Sequence, residues 1–312
     1  EFLRHLDTVE EALTRPAAQR HENPVEAVAG EVFEGGYKIK ARLGKGSSAI
    51  VFLVEKDKAE LVLKLALDPD KNATLQSEEK ILKALHHAAI VRIQGQLEVG
   101  RHLGLLLDKA GNQTLGDRIR KEGAIQLEHL QRFGDDLLSA VQYLEDQGQF
   151  HRDIKPDNIG VTPVGRGDSL HLVLFDFSLA GTSVNQVQVG TRAYLDPFLG
   201  LRDRRTYDPA AERYAAAVTL YEMATGGLPR WGDGRTDPAT TDVELSLEVE
   251  ALDPSLRDEL GGYFHKALHR DFRERFDTTE EMRREWNRIL GNAAISTTAT
   301  PTENLTLTTP LR

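Results

Sequence analysis

From Tyr37 onward the chain alternates apolar and polar residues with the period of two that a strand requires. YKIKARLG, AIVFLVEKD and ELVLKLAL follow one another, separated by short runs of Gly, Asp and Lys. This pattern predicts three short antiparallel strands joined by turns. In SEEKILKALHH the period lengthens, placing Ile81, Leu82 and Leu85 on one helical face, and HLGLLLD returns to a strand. Beyond Gly111 helical spacing dominates, in LEHLQRFGDDLLSAVQYLEDQG, YAAAVTLYEMATGG, LRDELGGYFHKALHR and TTEEMRREWNRIL, several of them closed by a glycine suited to a helix C-terminus. Strands come first and helices second, the order of an α+β chain with a small sheet lobe and a larger helical lobe. The change falls near Lys109. The expected units are therefore residues 31–109 and 110–291, preceded over 1–30 by a polar extension in which FLRHLDTVEEAL is helix-like, and followed over 292–312 by a Thr-rich flexible tail.

Composition leaves this architecture unchanged and narrows the function. With 312 residues, 40% hydrophobic and 28% charged, the chain can bury two cores. A formal net charge of −10 sets acids above bases, which argues against a nucleic-acid partner. The absence of cysteine removes disulfides, thiol nucleophiles and Cys-ligated zinc, and suits a reducing cytoplasmic setting. No apolar run approaches the ~18 residues of a membrane span, and the charged N-terminal stretch is no signal peptide, so no membrane partner is expected. His265 and His269 lie four apart in a predicted helix, but Lys266 stands where a zinc protease carries glutamate, and they read as surface histidines. TDVELSLEVEALD reads as a solvated connector.

The candidate chemistry is concentrated in HRDIKPDNIG, residues 151–160, which matches neither a helix face nor a strand. Just downstream, LHLVLFDFSLAG ends an apolar, buried-type strand on Asp176. Asp176 and Asn158 offer hard oxygen ligands of the kind magnesium takes when it also holds phosphate oxygens, Asp153 is left to accept a proton, and Lys155 can neutralise a phosphoryl group in flight. Upstream, LGKGSSAIV sets Gly44, Lys45, Gly46 and Ser47 between two predicted strands, where bare backbone can close over a phosphate, although a glycine pair in a hairpin is by itself only a turn. Lys64 interrupts the apolar ELVLKLAL. It is either an edge-strand lysine facing water or a buried ammonium needing Glu78 or Glu79 as its countercharge.

Taken in order, GKGSSAIV, LVLK, SEEKIL, HRDIKPDN and DFS resemble the eukaryotic-type, or Hanks-type, Ser/Thr protein kinase family, from about Tyr37 to Leu290. The resemblance implies a two-lobed fold with ATP and magnesium between the lobes and transfer of the γ-phosphate to a protein hydroxyl. It implies that Lys64 holds the α- and β-phosphates, with Glu78 as its helix partner, that Asp153 is the catalytic base, and that Asn158 and Asp176 hold magnesium. Gly44 to Ser47 and Val51 would cover the nucleotide, and Leu107, Asp108 and Ala110 would line the adenine site. VGTRAYLDP is similar to the segment on which a substrate peptide lies. Lys155 paired with Thr191 resembles the Ser/Thr kinases. Arg152 corresponds to the residue that receives a phosphorylated activation segment, here Asp176 to Pro197, with Thr182 and Ser183 as the hydroxyls in reach.

Four positions depart from the family pattern. Ala49 replaces the third glycine of the phosphate loop, and Ser178 replaces the glycine after Asp176 and Phe177. Phe198 stands where a glutamate pairs with a lower-lobe arginine, which leaves Arg275 in need of another partner or solvent. Glu212 occupies an aspartate position under the catalytic loop. The expected function is an autophosphorylating Ser/Thr kinase; the alternatives are a nucleotide-binding or scaffolding module without transfer, and a small-molecule phosphotransferase. The chain also looks bacterial, similar to kinase regions of large multidomain phage-defence proteins, with Thr300 and Thr309 as further sites of self-modification.

Overall fold

In the computed structural model, residues 23–163, 169–201 and 204–298 are described, the side chains of 292–298 excepted. The helix expected near the N-terminus, Thr300 and Thr309 lie outside that range. Six strands build the upper sheet: β1 (Val32–Phe33), β2 (Tyr37–Lys45), β3 (Ala49–Lys56), β4 (Ala59–Ala66), β5 (Ile93–Val99) and β6 (His102–Asp108). Their order is β1-β2-β3-β4-β6-β5, with every pair antiparallel. The tight β3–β4 turn places Asp57 and Lys58 at positive φ, the conformation that matches the twist of the flanking strands.

One face of this sheet has its own core, in which Ile39, Phe52, Val54, Leu63 and Leu106 are covered by Ala27 and Phe33. Phe33 meets Phe52 edge to face at 5.6 Å. Residues 24–30, expected as part of an extension, thus pack on the sheet, with Pro24 and Ala27 buried. The opposite face carries helix α1 (Asn72–Ala84) and joins the large core that continues into the lower half.

Below residue 108 the helices are α2 (Leu115–Glu122), α3 (Leu127–Asp146), α4 (Pro209–Thr225), α5 (Arg257–Ala267) and α6 (Thr279–Thr298). Helix α4 is apolar nearly all round and buried along its length, as the central element of a helical lobe must be. Asp208 caps its start, Pro209 occupies the first turn and Gly226 ends it in the left-handed conformation. A small sheet of β7 (Gln113–Thr114), β8 (Ile159–Pro163) and β9 (Leu170–Leu174) lies beneath the junction. The architecture is the expected α+β, two-lobed one. Helix α5 stops at Ala267, so His269 lies beyond it, and both His265 and His269 are exposed.

Candidate active site

The linker between the halves runs close against β8. A Cβ on Gly160 would lie 1.8 Å from the Ala110 carbonyl oxygen, and one on Gly111, at φ +84°, 2.0 Å from that of Val161. Only bare backbone fits at either place. Above this linker opens a cavity of about 480 Å³, within the range of small-molecule sites. Gly44, Val51, Lys64, Leu107, Asp108 and Ala110 line it, and Asp176 closes its inner end. Lys45 is the last residue of β2, and Gly46 and Ser47 form the exposed tip of the β2–β3 hairpin outside the lining. Sequence reasoning passed over Leu43, Leu53 and Val62, which also line the cavity. The signal was available: Leu53 and Val62 each lie two residues from a chosen one, on the same strand face.

Lys64 is buried and bonded to two carboxylates. Its Nζ lies 2.7 Å from both Glu78 oxygens and 2.6 Å from Asp176 Oδ1. Burial works against the ammonium, but the charges of Glu78 and Asp176 prevail and raise its pKa. The glutamate facing it is Glu78; Glu79 pairs with Lys83 one turn along the helix, at 2.7 Å. The two acids are driven apart. Burial pushes Glu78 up. At Asp176 burial acts in the same sense, but Lys64 overcomes it and the carboxyl is held down at about 2. Ser178, where the family carries glycine, adds a hydrogen bond to Asp176.

The loop after α3 supplies the second cluster. Asp153 Oδ1 accepts from the Thr191 backbone N–H at 3.0 Å and its hydroxyl at 2.7 Å. Its Oδ2 accepts from Lys155 at 2.7 Å and Asn158 Nδ2 at 2.9 Å. Burial alone would raise this carboxyl, but these bonds hold it below the ordinary value. Lys155 Nζ also reaches Thr191 Oγ1 at 2.6 Å. The two clusters are joined through the backbone, since Phe175 donates to the Asn158 carbonyl at 2.9 Å and His151 Nε2 bonds the Phe175 carbonyl at 2.9 Å. Lys64, Asp153, Asn158 and Asp176 are thus brought to one place.

With its amide nitrogen held by Asp153, Asn158 keeps its amide oxygen for another ligand, beside the half-exposed Asp176 carboxylate. That donor pair suits magnesium shared with phosphate oxygens. Among the described residues no group of three or more His, Asp or Glu would hold a metal unaided.

Beneath the loop, Glu212 reaches its target in spite of its extra methylene: Oε1 accepts the His151 N–H at 2.5 Å and Oε2 the Arg152 N–H at 3.2 Å. Arg152 is bonded through its side chain to the backbone of the activation segment. Its guanidinium donates to the carbonyls of Thr182 and Ser183, both at 2.8 Å, and to that of Gln186. Arg275, left without a glutamate by Phe198, bonds Asp196 at 2.7 Å and 3.2 Å, and Arg204 bonds the same carboxylate at 2.6 Å. Phe198 packs edge to face on Trp231 at 5.0 Å, with Arg270 stacked over both rings.

Comparison with known proteins agrees with this geometry. Residues 37–287 match the protein kinase domain family. The chain is 37% identical to a probable kinase, PglW, of Streptomyces coelicolor, over 94% of this chain but only 22% of that protein. It is 27% identical to human calcium/calmodulin-dependent protein kinase type 1B, over 83% of this chain and 76% of that one. A probable serine/threonine-protein kinase, MARK-A, of Dictyostelium discoideum is 28% identical over 64% of this chain and 19% of its own length.

Proposed function

The chain belongs to the protein kinase family, and from that premise we propose that it transfers the γ-phosphate of ATP to serine and threonine hydroxyls, its own included. The observation that carries this reading is the convergence in which Lys64 bonds Glu78 and Asp176 while Asn158 bonds Asp153 through its side chain and the N–H of Phe175, the residue before Asp176, through its backbone. ATP enters the cavity with its adenine against Leu107 to Ala110, below Gly44 and Val51. Its α- and β-phosphates meet Lys64. Asn158 and Asp176 would hold magnesium, which would supply positive charge against the phosphate oxygens.

The substrate hydroxyl oxygen bonds to the γ-phosphorus as the bond from that phosphorus to the β–γ bridging oxygen breaks, releasing ADP, and Asp153 takes the hydroxyl proton. An Asp153 carboxyl held below its ordinary value is ionised at neutral pH and a weak base. Such a base suits a loose transition state, in which the hydroxyl keeps its proton until late. Lys155, bonded to Asp153 and Thr191, is positioned to offset charge on the group in transfer. Thr191 on Asp153 favours Ser/Thr substrates by resemblance to that branch of the family. Among the described residues no helix is long and apolar enough to cross a membrane. A cytoplasmic setting, membership of a larger multidomain protein and a part in phage defence complete the proposal, and rest on the resemblance to one longer bacterial relative and to the kinase regions of such proteins.

Incubating the purified chain with labelled ATP and magnesium, alone and with a generic basic protein, tests the reading. Label is expected on Ser and Thr, and Asp153→Asn is expected to cut transfer by about 10²- to 10⁴-fold with nucleotide binding retained. Tight nucleotide binding without transfer by the unaltered chain would favour a nucleotide-binding module instead.

A further inference from the structure

A second cavity, of about 780 Å³, shares Val91 and the linker residues Asp108, Lys109 and Ala110 with the nucleotide cavity. Its lining is largely apolar, built by Leu82 and Leu85 at the end of α1, by Ile90 and Ile93 beyond it, and by Val173 on β9. The loop that carries Ile90 is fixed in place, because Leu174 donates to the Ala89 carbonyl and Val91 to the Leu174 carbonyl, both at 2.9 Å. The cavity is therefore preformed. Three cations border it. Lys83 and Lys109 each hold one glutamate, Glu79 and Glu60, whereas Arg92 is exposed and makes no ion pair among the described residues. The acid in the lining, Asp108, accepts from Gln94 at 2.6 Å.

The sequence ahead of the described residues has the matching chemistry. In EFLRHLDTVEEAL, residues 1–13, Phe2, Leu6, Val9 and Leu13 recur at the spacing of one helical face, with Asp7, Glu10 and Glu11 off that stripe. The stretch carries four acids against one base, Arg4. It is also within reach. Val25 and Leu97 pack on one core, and a Cβ on Gly35 would lie 3.9 Å from a methyl of Leu97. From Leu97, β5 runs back to Ile93 over about 13 Å, at ~3.3 Å per residue, and residues 14–22 can span up to ~30 Å. We propose that residues 1–13 dock in this cavity as an amphipathic helix, with the apolar stripe on Ile93 and Val173 and the acids toward Arg92. Seated there, the segment rests on the same linker that faces the nucleotide. The inference stands independently of phosphate transfer.

Because the chain has no cysteine, engineered pairs report contact without background. Ala88 is exposed and lines the cavity, so Val9→Cys is combined with Ala88→Cys and, for comparison, with Val28→Cys. Under mild oxidation of dilute protein, the pair with Ala88→Cys should close its disulfide at least about tenfold faster, although Val28 is 60% exposed and nearer along the chain. Leu6→Asp, which interrupts the apolar stripe, should remove that preference. Arg92→Glu should slow closure about threefold to tenfold, and Glu10→Arg with Glu11→Arg in the same chain should restore it. Should Arg92→Glu not fold, the Leu6→Asp arm decides. Equal rates for the two pairs, or a preference that survives Leu6→Asp, would overturn the assignment. A disulfide found only between two chains would seat the segment of a second copy there and overturn docking within one chain. Neither result touches the kinase reading.

Discussion

Two buried ion clusters, one at the cleft and one under the activation segment, solve opposite problems with the same chemistry. At the cleft one cation serves two acids: Lys64 holds Glu78 and Asp176, and Asp176 keeps 37% of its side chain exposed. Lower down one acid serves two cations, with Asp196 between Arg275 and Arg204 and its side chain fully enclosed. A cation with spare acid around it and an open side can change partners when phosphate arrives. A closed acid gripped by the Arg275 fork and by one Arg204 nitrogen cannot, and works as a rivet. Asp196 sits two residues before Phe198, so the buried carboxylate has in effect moved along the chain, and the vacated place is filled by an aromatic that stacks on Trp231. The family's ion pair is kept here in a different register.

The contrast is broken most sharply at Asp196. Burial would raise this carboxyl, and the two arginines hold it down, so its removal leaves the buried Arg275 without a carboxylate and Arg204 with Asp208 alone. Asp196→Ala should cost about 3–5 kcal/mol in urea-induced unfolding. Adding Phe198→Glu should recover part of that loss, and a cost of under about 1 kcal/mol for the single change would make the cluster no more than a surface-type pair. At the cleft the balance reverses. Lys64→Met leaves Glu78 free to take up a proton, so the fold should survive, while transfer should fall at least about 100-fold for want of a cation on the phosphates. Rates and unfolding midpoints measured on both variants separate the two kinds of cluster. Equal loss of stability in both would end the distinction.

Much of this was open to reading from the chain. The strand period from Tyr37 to Ala66 and the helical period after Leu127 are strong because one face of each element is buried, and burial writes itself into alternation. Strand β5 was passed over because Gly95 sits at a register shift and breaks the pattern, and α2 because eight residues are too few to show a period. The residues of the reacting cluster were named from the sequence because each carries unusual chemistry for its surroundings, as Lys64 does in an apolar strand. What pairs with what was less accessible. That Arg275 would find Asp196, and that Arg152 would bond the carbonyls of Thr182, Ser183 and Gln186, depends on how separate loops meet, and local spacing holds no record of it.

The smallest expected effect sharpens the cleft side of the comparison, since two acids on one lysine need not titrate together. Asp176, depressed from 3.8 to about 2, contributes stability that is complete above pH 3.8 and is lost only as pH falls through about 2. Glu78 is raised above 4.5 by burial, so it takes a proton first as the medium is acidified. Lys64 then loses one of its two charged partners while the candidate magnesium ligand remains ionised. The affinity for an ATP analogue should therefore weaken by about tenfold on the acid side, in a step lying above pH 4.5. Glu78→Gln, which cannot titrate, should lose that step and bind uniformly at the weaker level, whereas in Glu79→Gln, whose carboxylate pairs with Lys83 and not Lys64, the step should stay. Persistence of the step in Glu78→Gln would assign it to another group and remove the reason for treating the two carboxylates as unequal.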